Sequence, residues 1–484
     1  MLSVYAHGFI LAPIIIVLIY NLFNHDYARR HFVWFAGAGA IWQFASAIAA
    51  YVALRSTGMD SYRFSIFWNI DKPGVAYFEL NALKLFLLLV IGLVSFVSVL
   101  IAKQTIDFNR SSYTNLLMIL MLGMNSMLLV ADLFSLYVFM EVTGICCFVM
   151  IAMFRSRADL EGSFKYLVMS ELASIFLLIG LAFLFMRTGS LRYEDLQGLI
   201  VSGNMLEDHL VRVAMGLLLS GFAIKTGAVP FHSWLPDAHQ SADTSVSVLL
   251  SGIVIKIAGV YGLMTVCRLF EGFSSMRIVL AVLGSFSILF GALLGARQGH
   301  FKRVVAYSSV SQMGYILLAL STGTTLGLIG ALAHVLSHAV FKSTLFVNAA
   351  ALHEQAGTLE LDEMGGLEER MPKTAMSSII AFLSLAGIPP TLGFWSKLLI
   401  LISLWGSGKQ PLAAFALLAS IFTSVYMLRL QKKAFFGRIR ESLTDVHEAT
   451  GTVLAAELLL TVLTILIGCA YPFILSVLNA QGLL

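Results

Sequence analysis

Ionisable side chains interrupt the apolar stretches of this sequence repeatedly, and each needs a physical reason. Glu141 sits in LYVFMEVTGICCFVM, Lys165 and Glu171 in FKYLVMSELASIF, Lys225 in GFAIKTGAVP and Lys256 in GIVIKIAGVYG. His334, His338 and Lys342 follow in LAHVLSHAVFKSTLF, and Lys397 in FWSKLLI. A charge at the centre of a bilayer costs about 2.5 to 3.5 kcal/mol on insertion scales, so groups kept there mark ion pathways and proton relays. Histidine titrates near neutrality and burial lowers a lysine by up to about 3 to 5 pKa units, so both types can take up and release protons. His334, His338 and Lys342 recur every four residues and share one helical face, which makes a polar stripe suited to proton hopping. A hydrogen-bonded core residue is the plainer reading of one lone histidine. Two on one face beside a lysine, in a chain with further buried lysines, favour the relay.

Glu141 reads in two ways. It can neutralise a lysine to hold two helices together. It can also pair with Lys225, keeping that lysine protonated when close and letting desolvation push the proton onward when the pair opens. A lysine shift of about 3 units is worth roughly 4 kcal/mol, and one charge crossing about 200 mV costs roughly 4.6 kcal/mol, so rearranging an ion pair is on the scale of the work required. Lys165 can snorkel from the start of its span, and Glu171 can pair with it or with a neighbour, so their place on or off the path stays open. Asp132 and Lys84 lie near span ends and read as interfacial. Methionine and phenylalanine read as packing or lipid-facing residues, and Cys146 and Cys147 as inert packing.

The elements that must position these groups are membrane spans. Of 484 residues 58% are hydrophobic and 12% charged, and the mean hydropathy is +0.87, far from the roughly 25% charged residues of soluble proteins. Lipid offers no partners for backbone N–H and C=O groups, so a spanning helix needs about 20 mostly apolar residues. Such stretches fall at 5 to 23, 32 to 54, 82 to 102, 114 to 131, 133 to 153, 163 to 187, 209 to 229, 242 to 266, 276 to 297, 303 to 321, 326 to 351, 373 to 404, 411 to 434 and 452 to 478. The expected fold is an all-α polytopic membrane protein of about 14 helices. The first span lacks a basic leader and a cleavage site, and is expected to be retained.

Pro230 follows Lys225, and Pro389 with Pro390 precede Lys397, so helices 7 and 12 are expected to break there. Broken helices in corresponding positions point to inverted repeats whose freed backbone lines a polar cavity. The expected organisation is therefore helices 1 to 3 (residues 1–113), a five-helix repeat (114–266), its inverted partner (276–434) and helix 14 (452–484). No connecting loop reaches the roughly 50 residues of a folded soluble domain, so redox chemistry is expected in other chains.

Arg29, Arg30, Lys103, Arg110, Arg155, Arg157, Arg297, Lys302, Arg303, Arg370, Lys373, Arg429, Lys432, Lys433, Arg438 and Arg440 fall on one side of an alternating path. Arg55, Arg63, Lys72, Arg187, Arg192, Arg212, Arg268, Arg277 and Lys409 fall on the other. The richer side is cytoplasmic by the positive-inside rule, which puts both termini outside the cell membrane, in agreement with an even helix count. A net charge of +4 spread over short loops does not suggest nucleic acid. Cys146, Cys147, Cys267 and Cys469 lack the C-x-x-C spacing of zinc or iron–sulfur ligands, so neither metal nor disulfide is expected. No dinucleotide fingerprint, Walker loop or catalytic triad is present, and no cofactor is expected.

FAIKTGAVPFHSWLPDAHQSADTSVSVLLSGIVIKIAGVYGL, FKRVVAYSSVSQMGYILLAL, HVLSHAVFKSTLF and GIPPTLGFWSK together resemble the proton-translocating antiporter-like subunits shared by complex I, membrane-bound hydrogenases and Mrp-type cation/proton antiporters. The resemblance runs from about span 4 to span 13. It implies fourteen helices with inverted repeats, broken helices 7 and 12, and a charged chain along the membrane plane. The family's helix-5 glutamate would fall on Glu141, its helix-7 lysine on Lys225, its helix-8 lysine on Lys256, its helix-11 histidines on His334 and His338, and its helix-12 ionisable residue on Lys397. That last position varies in the family between lysine and glutamate, and lysine resembles Mrp-type and some complex I members. Ending at Leu484, without a long lateral helix, the chain resembles the shorter members, such as the Mrp D type. YFELNALKLFL at the start of span 3 departs from the D-G-L-S-like pattern more frequent in complex I members, so a hydrogenase-type or Mrp-type assembly stays open.

The expected function is movement of protons by a cofactor-free membrane subunit, coupled to redox chemistry in partner subunits. The alternative is a subunit of a Na+/H+ antiporter, for which the carboxylates expected of a cation site are thin. A non-conducting scaffold is the third reading, and it conflicts with the cost of keeping charge at Lys225 and Glu141.

Overall fold

The computed structural model describes residues 2–23, 25–65, 77–202 and 205–480. Lys72, one of the basic residues that bear on orientation, lies outside them. Among the described residues, thirteen helices are long and apolar enough to cross a membrane. The fourteenth apolar stretch, read over 373 to 404, is two shorter apolar helices, Pro372–Ala386 and Leu392–Gly406. The chain is therefore an all-helical, multi-pass membrane protein with one small hairpin.

The chain divides into two units. The first holds residues 1–225 and 253–272. Its helices are α1 (Leu2–Leu22), α2 (His25–Ser56), α3 (Ala82–Thr105), α4 (Arg110–Leu129), α5 (Leu133–Ile151), α6 (Arg157–Thr188), α7 (Tyr193–Ser202) and α8 (His209–Thr226). Short polar side chains start α3, α5 and α6 by accepting orphan backbone N–H groups of the first turn. Asp132 accepts from the N–H of Ser135 to start α5, and Ser156 with Asp159 closes a capping box. That box starts α6 at Arg157, ahead of the apolar run read from 163, because the cap supplies the partners that lipid would not. Two features of the loops lie outside what apolar runs mark: α7, and an antiparallel hairpin of β1 (Ser61–Phe64) and β2 (Phe78–Asn81), with Ser61 opposite Asn81.

The second unit holds residues 226–252 and 273–484. It contains α9 (Trp234–Ser241), α10 (Thr244–Leu249), α12 (Ser274–Gly295), α13 (Phe301–Ser321), α14 (Thr325–Ala356), α15 (Pro372–Ala386), α16 (Leu392–Gly406), α17 (Gln410–Ala434) and α18 (Gly451–Ala480), while α11 (Gly262–Leu269) belongs to the first unit. The stretch from Leu250 to Tyr261, between α10 and α11, winds as a π-helix. Apolar periodicity does not mark this wider winding, which is frequent at functional sites. The apolar windows of α13 and α14 are each 94% buried and that of α17 28%, so α13 and α14 can carry polar groups away from lipid.

Both helix breaks use the same local chemistry. Gly227 (φ 69°) follows α8 and Gly387 (φ 83°) follows α15 in the left-handed conformation that glycine adopts at a helix C-terminus. Proline then prevents the helix from continuing, Pro230 in one case and Pro389 with Pro390 in the other. The freed backbone finds partners within the protein, as lipid requires. The Val229 N–H donates to Ser287 Oγ at 2.9 Å and the Gly393 N–H to Ser384 Oγ at 3.2 Å.

Candidate functional site: buried lysines at two broken helices

In the first unit Glu141 projects from the middle of α5 and Lys225 from the last turn of α8, just before the break. Their charged atoms, Oε1 and Nζ, are 3.9 Å apart, with side-chain exposures of 23% and 5%. Two serines one turn apart on α6 complete the group. Lys225 Nζ donates to Ser170 Oγ at 2.7 Å, and Ser174 Oγ donates to Glu141 Oε1 at 2.5 Å. Each charge therefore has its own hydroxyl partner, and the ion pair itself is loose. Gly144, one turn beyond Glu141, leaves the room: a Cβ there would stand 3.3 Å from Ser170 Oγ and 3.8 Å from Lys225 Nζ. Lys256, 1% exposed, lies in the π-helical stretch of the same unit.

In the second unit Lys397 projects from α16 back to the end of α15. Its Nζ donates to the carbonyls of Leu385 (2.8 Å) and Ala386 (3.4 Å) and to Ser420 Oγ (2.8 Å), and it stands 4.6 Å from the centre of the Tyr315 ring. The break thus exposes carbonyls at the negative end of the α15 dipole, which hold a cation together with the π face of Tyr315. His334, His338 and Lys342 are fully buried on α14. The two imidazole rings are 6.4 Å apart, and His334 Nδ1 is 2.9 Å from Ser396 Oγ, on α16 next to Lys397. Lys342 turns toward α13, where it donates to the Val305 carbonyl at 2.6 Å and to Ser308 Oγ. The stripe on α14 therefore forms, with its lysine end engaged by a different helix from its histidine end.

Other charges stand apart. Lys165 pairs with Glu161 one turn earlier at 2.7 Å, with exposures of 43% and 62%, and Glu171 is exposed on α6. Lys84 is buried with Glu79 at 3.2 Å, close to the start of α3. Lys302, a loop cation in the orientation count, is 5% exposed and donates to the Ala242 carbonyl at 2.8 Å. Charge alone does not mark Ser170, Ser174, Ser396, Ser420 and Tyr315, and Glu457 of α18 is not among the residues singled out above from the sequence. The i, i+4 spacing of Ser170 and Ser174 on a span facing a lysine is a usable signal, as is a lone carboxylate in the apolar run LAAELLL.

These buried cations at broken transmembrane helices lie within residues 130–423, which match the family described as NADH:quinone oxidoreductase/Mrp antiporter, TM; the chain belongs to this family. Among its relatives, the N-type NADH-quinone oxidoreductase subunit of Desulforudis audaxviator is 33% identical over 330 residues, covering 67% of this chain and 65% of that protein, just under two thirds of its length. The D-type Na(+)/H(+) antiporter subunit of Alkalihalophilus pseudofirmus is 31% identical over 385 residues, 78% of this chain and 77% of that one. A chain in the structure of the Mrp complex from Dietzia sp. DQ12-45-1b superposes with a TM-score of 0.88 at 26% identity, over 98% of this chain and 95% of its own.

Proposed function

We propose that this chain is a proton-translocating, antiporter-like subunit of a multi-subunit energy-converting membrane complex, with other membrane subunits as partners and redox chemistry held in other chains. The observation that carries this is the loose Glu141–Lys225 pair with Ser170 and Ser174 beside it. Opposite unit charges about 4 Å apart attract by about 4 kcal/mol at an effective dielectric constant near 20. One charge moved across about 200 mV costs roughly 4.6 kcal/mol, so opening and closing the pair is on the scale of transport work. When Glu141 is near, the ammonium form of Lys225 is favoured. When it withdraws, Ser170 alone does not offset desolvation, and the proton leaves.

The proposed stations are Glu141, Lys225 and Lys256 in the first unit, and His334, His338, Lys342 and Lys397 in the second. Lys165, paired with Glu161 at an exposed helix surface, is left off the path. Matching glycine–proline breaks and a lysine beside each support reading 114–266 and 276–434 as inverted repeats. The uneven division of loop arginines and lysines supports termini on the outer side of the cell membrane. The test is proton pumping by the whole assembly in sealed vesicles, comparing wild type with Lys225→Ala at equal assembly. Lost pumping is expected, and unchanged pumping would make the chain a scaffold.

A second reading, membership of a Na+/H+ antiporter, is favoured by the match over 78% of this chain to the Alkalihalophilus antiporter protein. Proton movement that requires sodium on the opposite side would select it.

A further inference from the structure

The second unit contains a hydrogen-bonded chain that the lysine path does not use, and its two carboxylates, Glu448 and Glu457, lie beyond residue 423, where the family match ends. Glu457 is fully buried on α18, and its Oε1 accepts from Asn348 Nδ2 of α14 at 2.7 Å. Its Oε2 lies 3.0 Å from the hydroxyl of Thr374 in the first turn of α15, and that hydroxyl is also 2.8 Å from Oε1 of Glu448. Glu448 is half-buried in the connection between α17 and α18. It accepts from the backbone N–H of Lys373 at 2.6 Å, of Ala449 at 3.1 Å and of Thr374 at 3.4 Å.

Proton counting fixes the states. A threonine hydroxyl has one proton and cannot donate to two carboxylates at once. Glu448 sits on the N-terminal amides of α15, where backbone donors and the helix dipole favour an anion. With the Thr374 proton turned to Glu448, Glu457 Oε2 would carry a proton of its own and donate it to Thr374. Among the described residues, Asn348 Oδ1 is buried with no hydrogen-bond partner.

We propose that Glu457, Thr374 and Glu448 form a proton relay from the buried contact between α14, α15 and α18 to the exposed connection between α17 and α18. In one transfer the O–H bond on Glu457 Oε2 breaks as Thr374 Oγ1 takes its proton, and the proton first on Thr374 passes to Glu448 Oε1. One proton moves outward from the buried carboxyl, no electrons are exchanged, and the relay resets after Glu448 releases its proton to water, Glu457 takes up another proton from the protein interior and the Thr374 hydroxyl rotates back toward Glu448. Run in reverse, the same steps load Glu457. This inference deepens the proton-moving reading and rests on it.

The test uses the whole assembly in lipid, with two readouts. Infrared spectroscopy follows the protonated-carboxyl band assigned by its loss in Glu457→Gln, and its exchange into D2O. Pumping in sealed vesicles is measured beside it. Exchange is expected to be fast in wild type and in Thr374→Ser, and at least about tenfold slower in Thr374→Val, which keeps shape but removes the hydroxyl. Pumping is expected to fall at least about tenfold in Glu457→Gln and Thr374→Val, within the range of a lost positioned proton carrier, and to stay within about twofold of wild type in Thr374→Ser. Absence of the band, or exchange in Thr374→Val as fast as in wild type, would overturn the relay whatever the transported ion. Normal pumping in Glu457→Gln while Lys225→Ala is inactive would remove it from the path and leave the lysine account standing.

Discussion

Lys225 faces a carboxylate across 3.9 Å, with a serine hydroxyl on each partner, whereas Lys397 faces two carbonyls, a hydroxyl and an aromatic ring. Both lysines adjoin a helix broken by glycine and proline, so the surroundings and not the break set the difference. A carboxylate on a side chain can swing, and its negative charge comes and goes with its position. Backbone carbonyls at the end of α15 are fixed, and they stabilise a cation by a steady partial charge of about half a unit. On the proposed function, the first unit would hold the switching pair and the second a steadier cation site.

The largest effect that would break this contrast comes from Glu141→Gln, which keeps shape and removes the swinging charge. Pumping is expected to fall about 100-fold with assembly intact, as for loss of a positioned proton-transfer partner. Normal pumping would make the two lysines equivalent. A smaller pair of substitutions sharpens the contrast. Ser174→Ala removes a hydrogen bond to a carboxylate, worth about 1.5 to 3 kcal/mol, and is expected to slow vesicle pumping about tenfold. Ser420→Ala leaves Lys397 two carbonyls and is expected to slow it about threefold or less; the reverse order would place the switch at Lys397.

The breaks and the buried charges were legible in the sequence because proline and buried charge are expensive in a membrane, and each cost leaves a visible residue. IKTGAVP and AGIPP announce where α8 and α15 stop, and the i, i+4 spacing of His334, His338 and Lys342 places them on α14. Apart from the i, i+4 spacing of Ser170 and Ser174, the hydroxyl partners were not legible, because residues such as Thr374 resemble the many serines and threonines that satisfy their own helix backbone. The partner of Lys165 was legible in helical spacing, because Glu161 stands four residues earlier and Glu171 six residues later on another face; the structure pairs Lys165 with Glu161. The π-helical winding around Lys256 leaves no mark in an apolar run whose every face is buried.

The smallest expected effect concerns His300, at the corner between α12 and α13. Burial, with Lys302, Arg303 and His353 nearby, pushes its imidazole down to about 4. The folded protein then binds fewer protons here than the unfolded chain, whose histidine titrates near 6.5. Its contribution to stability is present above about pH 6.5 and is lost as pH falls toward 4. Melting of the solubilised assembly across that range is expected to be slightly less acid-sensitive in His300→Gln, and pumping above pH 6.5 unchanged.

The most direct test of proton release at Lys225 is Lys225→Arg, assayed for pumping in sealed vesicles after assembly is verified. Arginine keeps the positive charge opposite Glu141 but stays protonated under all working conditions. The switching account predicts an assembled complex in which pumping is lost. Pumping near the wild-type rate would mean that Lys225 acts as a fixed charge and that no proton passes through it.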